Sequence, residues 1–220
     1  MSLLDIFQPG LKYGAEQLSY APQKKYFYVE SPKEGWRVYI RNVAIIHEYG
    51  AQFDPQKFLV VKDTGTNPSS YAWEPPKGQM EAKDGLEKTK KPLLTRMATA
   101  LLREVEEEAK ISSIKKLQYT GLVIQSKEPD YPENTWFQYH IFKIEITPEI
   151  IQDAFEKFAW FKEHPLAFKH QRKDNKEKDA IAWFDARKTR LFGRWSPSIV
   201  SLYLQNNMPG PILASQSSTH

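Results

Sequence analysis

Arg103-Glu104-Val105-Glu106-Glu107-Glu108 is the stretch of this 220-residue chain whose side chains are best placed to do chemistry. Glu104 and Glu108 stand four apart and Glu104 and Glu107 three apart, so on a helix their carboxylates converge on one face. Like charges that close repel one another, and a divalent cation neutralises them efficiently. Hard carboxylate oxygens favour Mg²⁺ or Mn²⁺. Such an ion screens phosphate oxygens and lowers the pKa of an attacking water, which points towards phosphate chemistry. Arg103 is spaced to pair with Glu107 at i,i+4. A merely solvated acidic face is the competing account, because glutamate-rich exposed helices are common.

The element that must carry these residues is legible around them. Leu94, Met97, Ala98, Leu101, Leu102, Val105 and Ala109 recur at steps of three and four, and predict a helix over 93–111 that starts after Pro92. Upstream, Trp73-Glu74-Pro75-Pro76-Lys77-Gly78 has a shaped, non-helical backbone that can offer a carbonyl to a metal and a lysine to a polyphosphate. Alternation and β-branching predict strands over 25–30, 36–47, 58–62, 117–125, 135–146 and 180–184. Two further helices are expected over 148–161 and 196–205.

Composition narrows the class. The chain has no Cys, which excludes disulfides, thiolate metal sites and a cysteine nucleophile. Its apolar share of 40% and charged share of 26% are those of a globular protein, and the net charge of +4 suits an anionic ligand without resembling a polycationic tail. No apolar run approaches a membrane span, and the N-terminus lacks the pattern of a secretory signal. The expectation is therefore a cytoplasmic or otherwise intracellular protein, an organelle included. Residues 1–24 read as an N-terminal arm, 25–205 as one domain, 79–91 as a solvent-exposed insertion, 162–178 as a basic loop and 206–220 as a flexible tail.

On Arg103-Glu104-Val105-Glu106-Glu107-Glu108-Ala109-Lys110-Ile111, and on the Pro-Lys-Gly entry before it, the chain resembles the Nudix hydrolase superfamily. That resemblance implies an α/β fold, the Nudix-type α/β/α sandwich with a mixed sheet. It also implies a cluster of Glu104, Glu107 and Glu108 for Mg²⁺ or Mn²⁺, a further metal ligand in the Gly78 carbonyl, and a buttressing role for Arg103. Three departures stand out. Gly78 and Arg103 are 25 apart where the family signature gives 14, an insertion of 11 residues. Eight before Arg103 is Thr95 where the signature has Glu, although Glu81, Asp84 or Glu87 could fold in. The signature's glycine after the glutamates is Lys110, which loses a residue suited to left-handed geometry.

The Trp-x-x-Pro-Lys-Gly form is similar to the branches that act on dinucleoside polyphosphates, diphosphoinositol polyphosphates or the messenger RNA cap. The implied activity is Mg-dependent hydrolysis of a nucleoside diphosphate linked to another group, with Glu107 receiving a proton from water. Lys77, Trp36, Arg37 and Trp136 are candidate substrate contacts, and Tyr39, Phe137 and Tyr139 further aromatic ones. Lys162, Lys169, Arg172, Lys173, Lys176 and Lys178 could hold an RNA backbone or a polyphosphate. The alternative is a Nudix-fold module that binds RNA or protein without catalysis.

Overall fold

A computed structural model describes residues 2–86, 91–191, 196–205 and 212–213. In chain order the strands are β1 (Lys12–Leu18), β2 (Ala21–Glu30), β3 (Arg37–Glu48), β4 (Leu59–Asp63), β5 (Trp73–Glu74), β6 (Lys77–Gln79), β7 (Lys116–Ser126), β8 (Thr135–Ile146), β9 (Lys178–Trp183) and β10 (Ile212–Leu213). The helices are α1 (Ala82–Gly85), α2 (Leu93–Ala109), α3 (Pro148–Glu163), α4 (Pro165–Lys169) and α5 (Ser196–Gln205). One sheet has the order β1-β2-β3-β8-β7-β10 with β6 on β3, and a second has the order β5-β4-β9. This is the expected α/β class, a mixed sheet arrangement with several helices.

The chain divides into two compact units. The first comprises residues 1–42, 78–101 and 123–140. Here β1 and β2 form an antiparallel hairpin from Lys12↔Glu30 to Gln17↔Lys25, and β2 continues onto β3 at Tyr28↔Tyr39. Residues 12–18, expected to belong to an arm, are thus a sheet strand. The reason is cross-strand pairing of aromatic and β-branched residues, which outweighs the Gly and Gln that weaken the strand signal. Tyr39, Phe137 and Leu18 are buried together, the two rings stacked at 5.3 Å. With Tyr139 also buried, the aromatic alternation here fills a core and offers no open stacking face.

The insertion also departs from expectation. Met80 is fully buried, its amide donates to the Ile40 carbonyl at 3.0 Å, and its own carbonyl accepts from the Phe27 amide at 2.9 Å. Lys24 and Glu81 pair at 3.2 Å, and Gly85 packs so closely on Phe27 that an added Cβ would stand 2.0 Å from the ring. The charges of 79–86 therefore line the rim of a segment that backbone hydrogen bonds and one methionine anchor. Residues 87–90, and with them Glu87, lie outside the described residues.

The second unit comprises residues 43–77, 102–122 and 141–220. Val60 and Val61 of β4 are fully buried, and β4 pairs with β9 antiparallel from Leu59↔Trp183 to Asp63↔Lys178. Helix α3 packs on β9 through an apolar stripe that includes Ile151, Ala154 and Phe158. The expected basic loop is partly ordered: it holds α4 and a 3-10 turn at Asp174–Lys176, and its last residue opens β9. Of the expected tail, Ile212–Leu213 pairs antiparallel with β7, and the rest of 206–220 lies outside the described residues. Among the described residues, no helix is long and apolar enough to cross a membrane.

Candidate active site

Helix α2 buries Met97, Leu101, Val105 and Ala109, the stripe its periodicity predicts, and this fixes where its glutamates point. Arg103 donates to Glu107 at 3.1 Å and pairs with Glu104 at 2.8 Å, so one guanidinium ties two carboxylates. Glu108 turns elsewhere. One of its oxygens accepts the Lys77 amide at 2.9 Å, and the other faces the Lys178 ammonium at 3.4 Å. Lys178 also binds Glu74, and Asp63 at 2.5 Å, while Lys77 pairs with Glu74 from the other side.

These contacts set the electrostatics. Burial pushes the Glu104 carboxyl up to about 8; Arg103 opposes this, and Glu108, Glu107 and Glu177 add to it. Burial likewise raises Glu108, with Lys178 working against it. For Glu74 burial acts upward, but Lys77 and Lys178 outweigh it and hold the carboxyl below the usual range. Lys178 is raised above the ordinary lysine value although burial acts the other way, because Glu108, Glu74 and Asp63 surround it. The helix end is crowded too. Lys110 has φ 62, and its ammonium donates to the Glu107 carbonyl at 2.5 Å and the Asn175 carbonyl at 2.6 Å.

Among the described residues, no three His, Asp or Glu side chains converge as a ready metal cage. The donor chemistry at Glu104 and Glu107 nevertheless fits a divalent cation. These are hard carboxylate oxygens, and a half-buried Glu104 whose charge Arg103 only partly offsets would be relieved by one. When bound, such an ion supplies Lewis-acid polarisation of phosphate oxygens and a water of lowered pKa. What the chain itself presents here is two carboxylates tied by the Arg103 guanidinium and, beside Glu74, the Lys77 ammonium.

The other expected contacts have partners of their own. Trp36 is buried and its indole N–H donates to Glu34 at 2.7 Å. Arg37 pairs with Glu16 at 2.8 Å and Glu30 at 3.0 Å, and its guanidinium lies over the Tyr28 ring. Trp136 is half-buried under the Lys127 ammonium. These three residues, and Gly78 in β6, belong to the first unit, whereas Lys77 and the glutamates belong to the second. Thr95 sits on α2, and Asp84 accepts the Glu81 amide at 2.7 Å. Sequence reasoning missed Glu74, Asp63 and Glu177 as neighbours of the glutamates. It puts Lys178 on a basic surface loop, but the side chain is 4% exposed among carboxylates. The signal available was its position as the first residue of an apolar strand.

A family model for the NUDIX domain matches residues 39–184, and the chain belongs to that family. Nudix proteins as a family cleave phosphoanhydride bonds. No curated protein matches the chain. Similar solved structures include a NUDIX hydrolase from Nitrosomonas europaea, at 15% identity over 82% of this chain and 99% of that one, with a TM-score of 0.45. Another is the NUDIX domain of Shewanella oneidensis NrtR complexed with ADP ribose, at 11% identity over 81% and 94%, with a TM-score of 0.45. A third is a MutT NUDIX hydrolase from Burkholderia pseudomallei, at 12% identity over 75% and 97%, with a TM-score of 0.42.

Proposed function

We propose that this chain is a pyrophosphohydrolase dependent on Mg²⁺ or Mn²⁺, which cleaves a nucleoside diphosphate linked to another group, as in a dinucleoside polyphosphate or a capped RNA. The observation that carries the reading is the pair of Glu104 and Glu107 gathered on one guanidinium, Arg103, within the stretch the family model matches. Glu104 and Glu107 would hold the ion. Glu107 is the residue to which the resemblance assigns the proton from water. Lys77, with its side chain partly exposed beside Glu74, offers positive charge to a phosphate oxygen.

The test is release of nucleotide or phosphate with each metal across dinucleoside polyphosphates, capped RNA, diphosphoinositols, nucleotide sugars and nucleoside triphosphates. Turnover is expected to require metal and to fall by about 100-fold or more in Glu104→Gln and in Glu107→Gln, as removal of a proton acceptor or metal ligand demands. A folded protein inactive on the whole panel would favour binding without catalysis, and binding of RNA would then be measured.

A further inference from the structure

The geometry points to a second ligand site, a cleft of about 470 Å³ beside the β4–β9 pair that takes a nucleoside monophosphate with an amino group on its base. That volume suits a small organic ligand, and every residue lining it belongs to the second unit. Phe161 of α3 and Phe168 of α4, their rings 5.5 Å apart and inclined by 64°, give it apolar walls together with Pro68 and Pro165. Flat walls of this kind stack on a planar ring.

The polar part of the cleft is built on an irregularity of the ladder. Lys62 lies opposite Ala180 and Asp63 opposite Lys178, so Asp179 is the extra residue of a β-bulge. Asp179 Oδ1 stands 2.5 Å from the Lys62 ammonium, which also donates to the carbonyls of Thr66 at 2.9 Å and Asp63 at 3.1 Å. Its Oδ2 accepts the Gly65 amide at 2.9 Å. The ammonium, 5% exposed, has its donors engaged, whereas a carboxylate can accept about four hydrogen bonds. Asp179, with its side chain 30% exposed, keeps capacity for a donor from the cleft. An alkyl chain would cover this ion pair and return nothing to it, but a base amino group donates to the carboxylate. Lys162, exposed on α3, lines the same cleft and offers its ammonium to the phosphate. Asp63 and Lys178, the neighbours of Lys62 and Asp179 along the strands, join each other on the opposite face, where Lys178 meets Glu108. The cleft and the glutamate cluster are therefore separate, and the site requires no metal.

The experiment follows amide chemical shifts of the full chain in EDTA, for the wild type, Lys162→Gln and Phe168→Ala. The probes are adenosine monophosphate, adenosine, purine riboside monophosphate and octanoate. Adenosine monophosphate is expected to bind saturably and to shift the amides of Thr64, Gly65, Phe161 and Phe168, and not those of residues 104–108. Lys162→Gln should weaken it about ten-fold and leave adenosine unchanged, as loss of a charge-assisted hydrogen bond demands. A merely solvated lysine would not separate the two probes. Phe168→Ala should weaken both about ten-fold through lost stacking, and the purine riboside nucleotide, which lacks the amino group, should bind the wild type about ten-fold less tightly. The proposal is overturned if adenosine monophosphate fails to bind or shifts residues 104–108 instead. It is overturned equally if either variant, folded, binds as the wild type does, or if octanoate or the purine riboside nucleotide binds as tightly. Lys162 is at the surface, so its variant tests the site without disturbing the fold. Because EDTA removes divalent ions, failure here leaves the hydrolase reading standing, and absence of turnover leaves this site standing.

Discussion

His140 and His47 are buried neutral, and each makes the protein sensitive to acid. Burial holds His140 down to about 3, and its Nε2 bonds to the Gln138 side chain at 3.0 Å. Burial holds His47 down to about 4, against the Lys57 carbonyl that its Nδ1 faces at 2.9 Å. Unfolded, both return to about 6.5, so the unfolded chain binds the extra protons. The histidines' contribution to stability is then complete above about pH 6.5 and falls as pH drops towards 4 and 3, by about 1.4 kcal/mol per unit for each histidine. Because the raised carboxyls of Glu104 and Glu108 act in the opposite direction over the same range, the readout is the difference between proteins: from pH 7 to pH 5 in urea unfolding the wild type should lose stability relative to His140→Gln by one histidine's share. Equal slopes in the two proteins would refute the assignment. At this scale the sequence is informative where charge and spacing are local, as in Arg103 with Glu107. The role of Lys178 is illegible because its three carboxylates arrive from β4, β5 and α2, over separations no local pattern encodes.

At the scale of the element, the end of α2 is the place where the chain departs from its family and still closes its helix. Lys110 occupies the left-handed position that the signature gives to glycine, at a steric cost of about 1–2 kcal/mol. Its ammonium offsets this by capping the Glu107 carbonyl and reaching Asn175. Lys110→Ala keeps the strained backbone and loses both bonds, whereas Lys110→Gly loses the bonds but relieves the strain. The alanine variant is therefore expected to be the less stable of the two by about 1 kcal/mol in urea denaturation. Elements with a strong period are readable nearly to their ends: the apolar pattern predicts a helix over 93–111, and α2 runs Leu93–Ala109. The segment 79–86 is not, because its anchors are the Met80 backbone and the close packing of Gly85 on Phe27, which composition conceals beneath many charges. Strand β1 escapes for a related reason, since Gly14 and Gln17 dilute its alternation while pairing with β2 supplies the order.

At the scale of the whole molecule, each compact unit is assembled from three separate stretches of chain, and both boundaries at 42/43 and 140/141 cut through strands, β3 and β8. No single cut separates the two units. A fragment beginning at residue 43 keeps every stretch of the second unit but lacks β1, β2 and half of β3, so the amide resonances of 78–101 and 123–140 are expected to lose their dispersion; native dispersion there would contradict the division. The sequence suggests one domain with an arm because hydrophobic pattern marks elements and not the order in which the chain revisits them. That interleaving also bears on how the protein is made. The first unit cannot close until Phe137 and its neighbours have left the ribosome, and the second waits for β9 and α5, which follow β3 by more than a hundred residues. Until then the apolar residues of β3 and β4 have emerged without their final neighbours, which makes the nascent chain a natural client for chaperones.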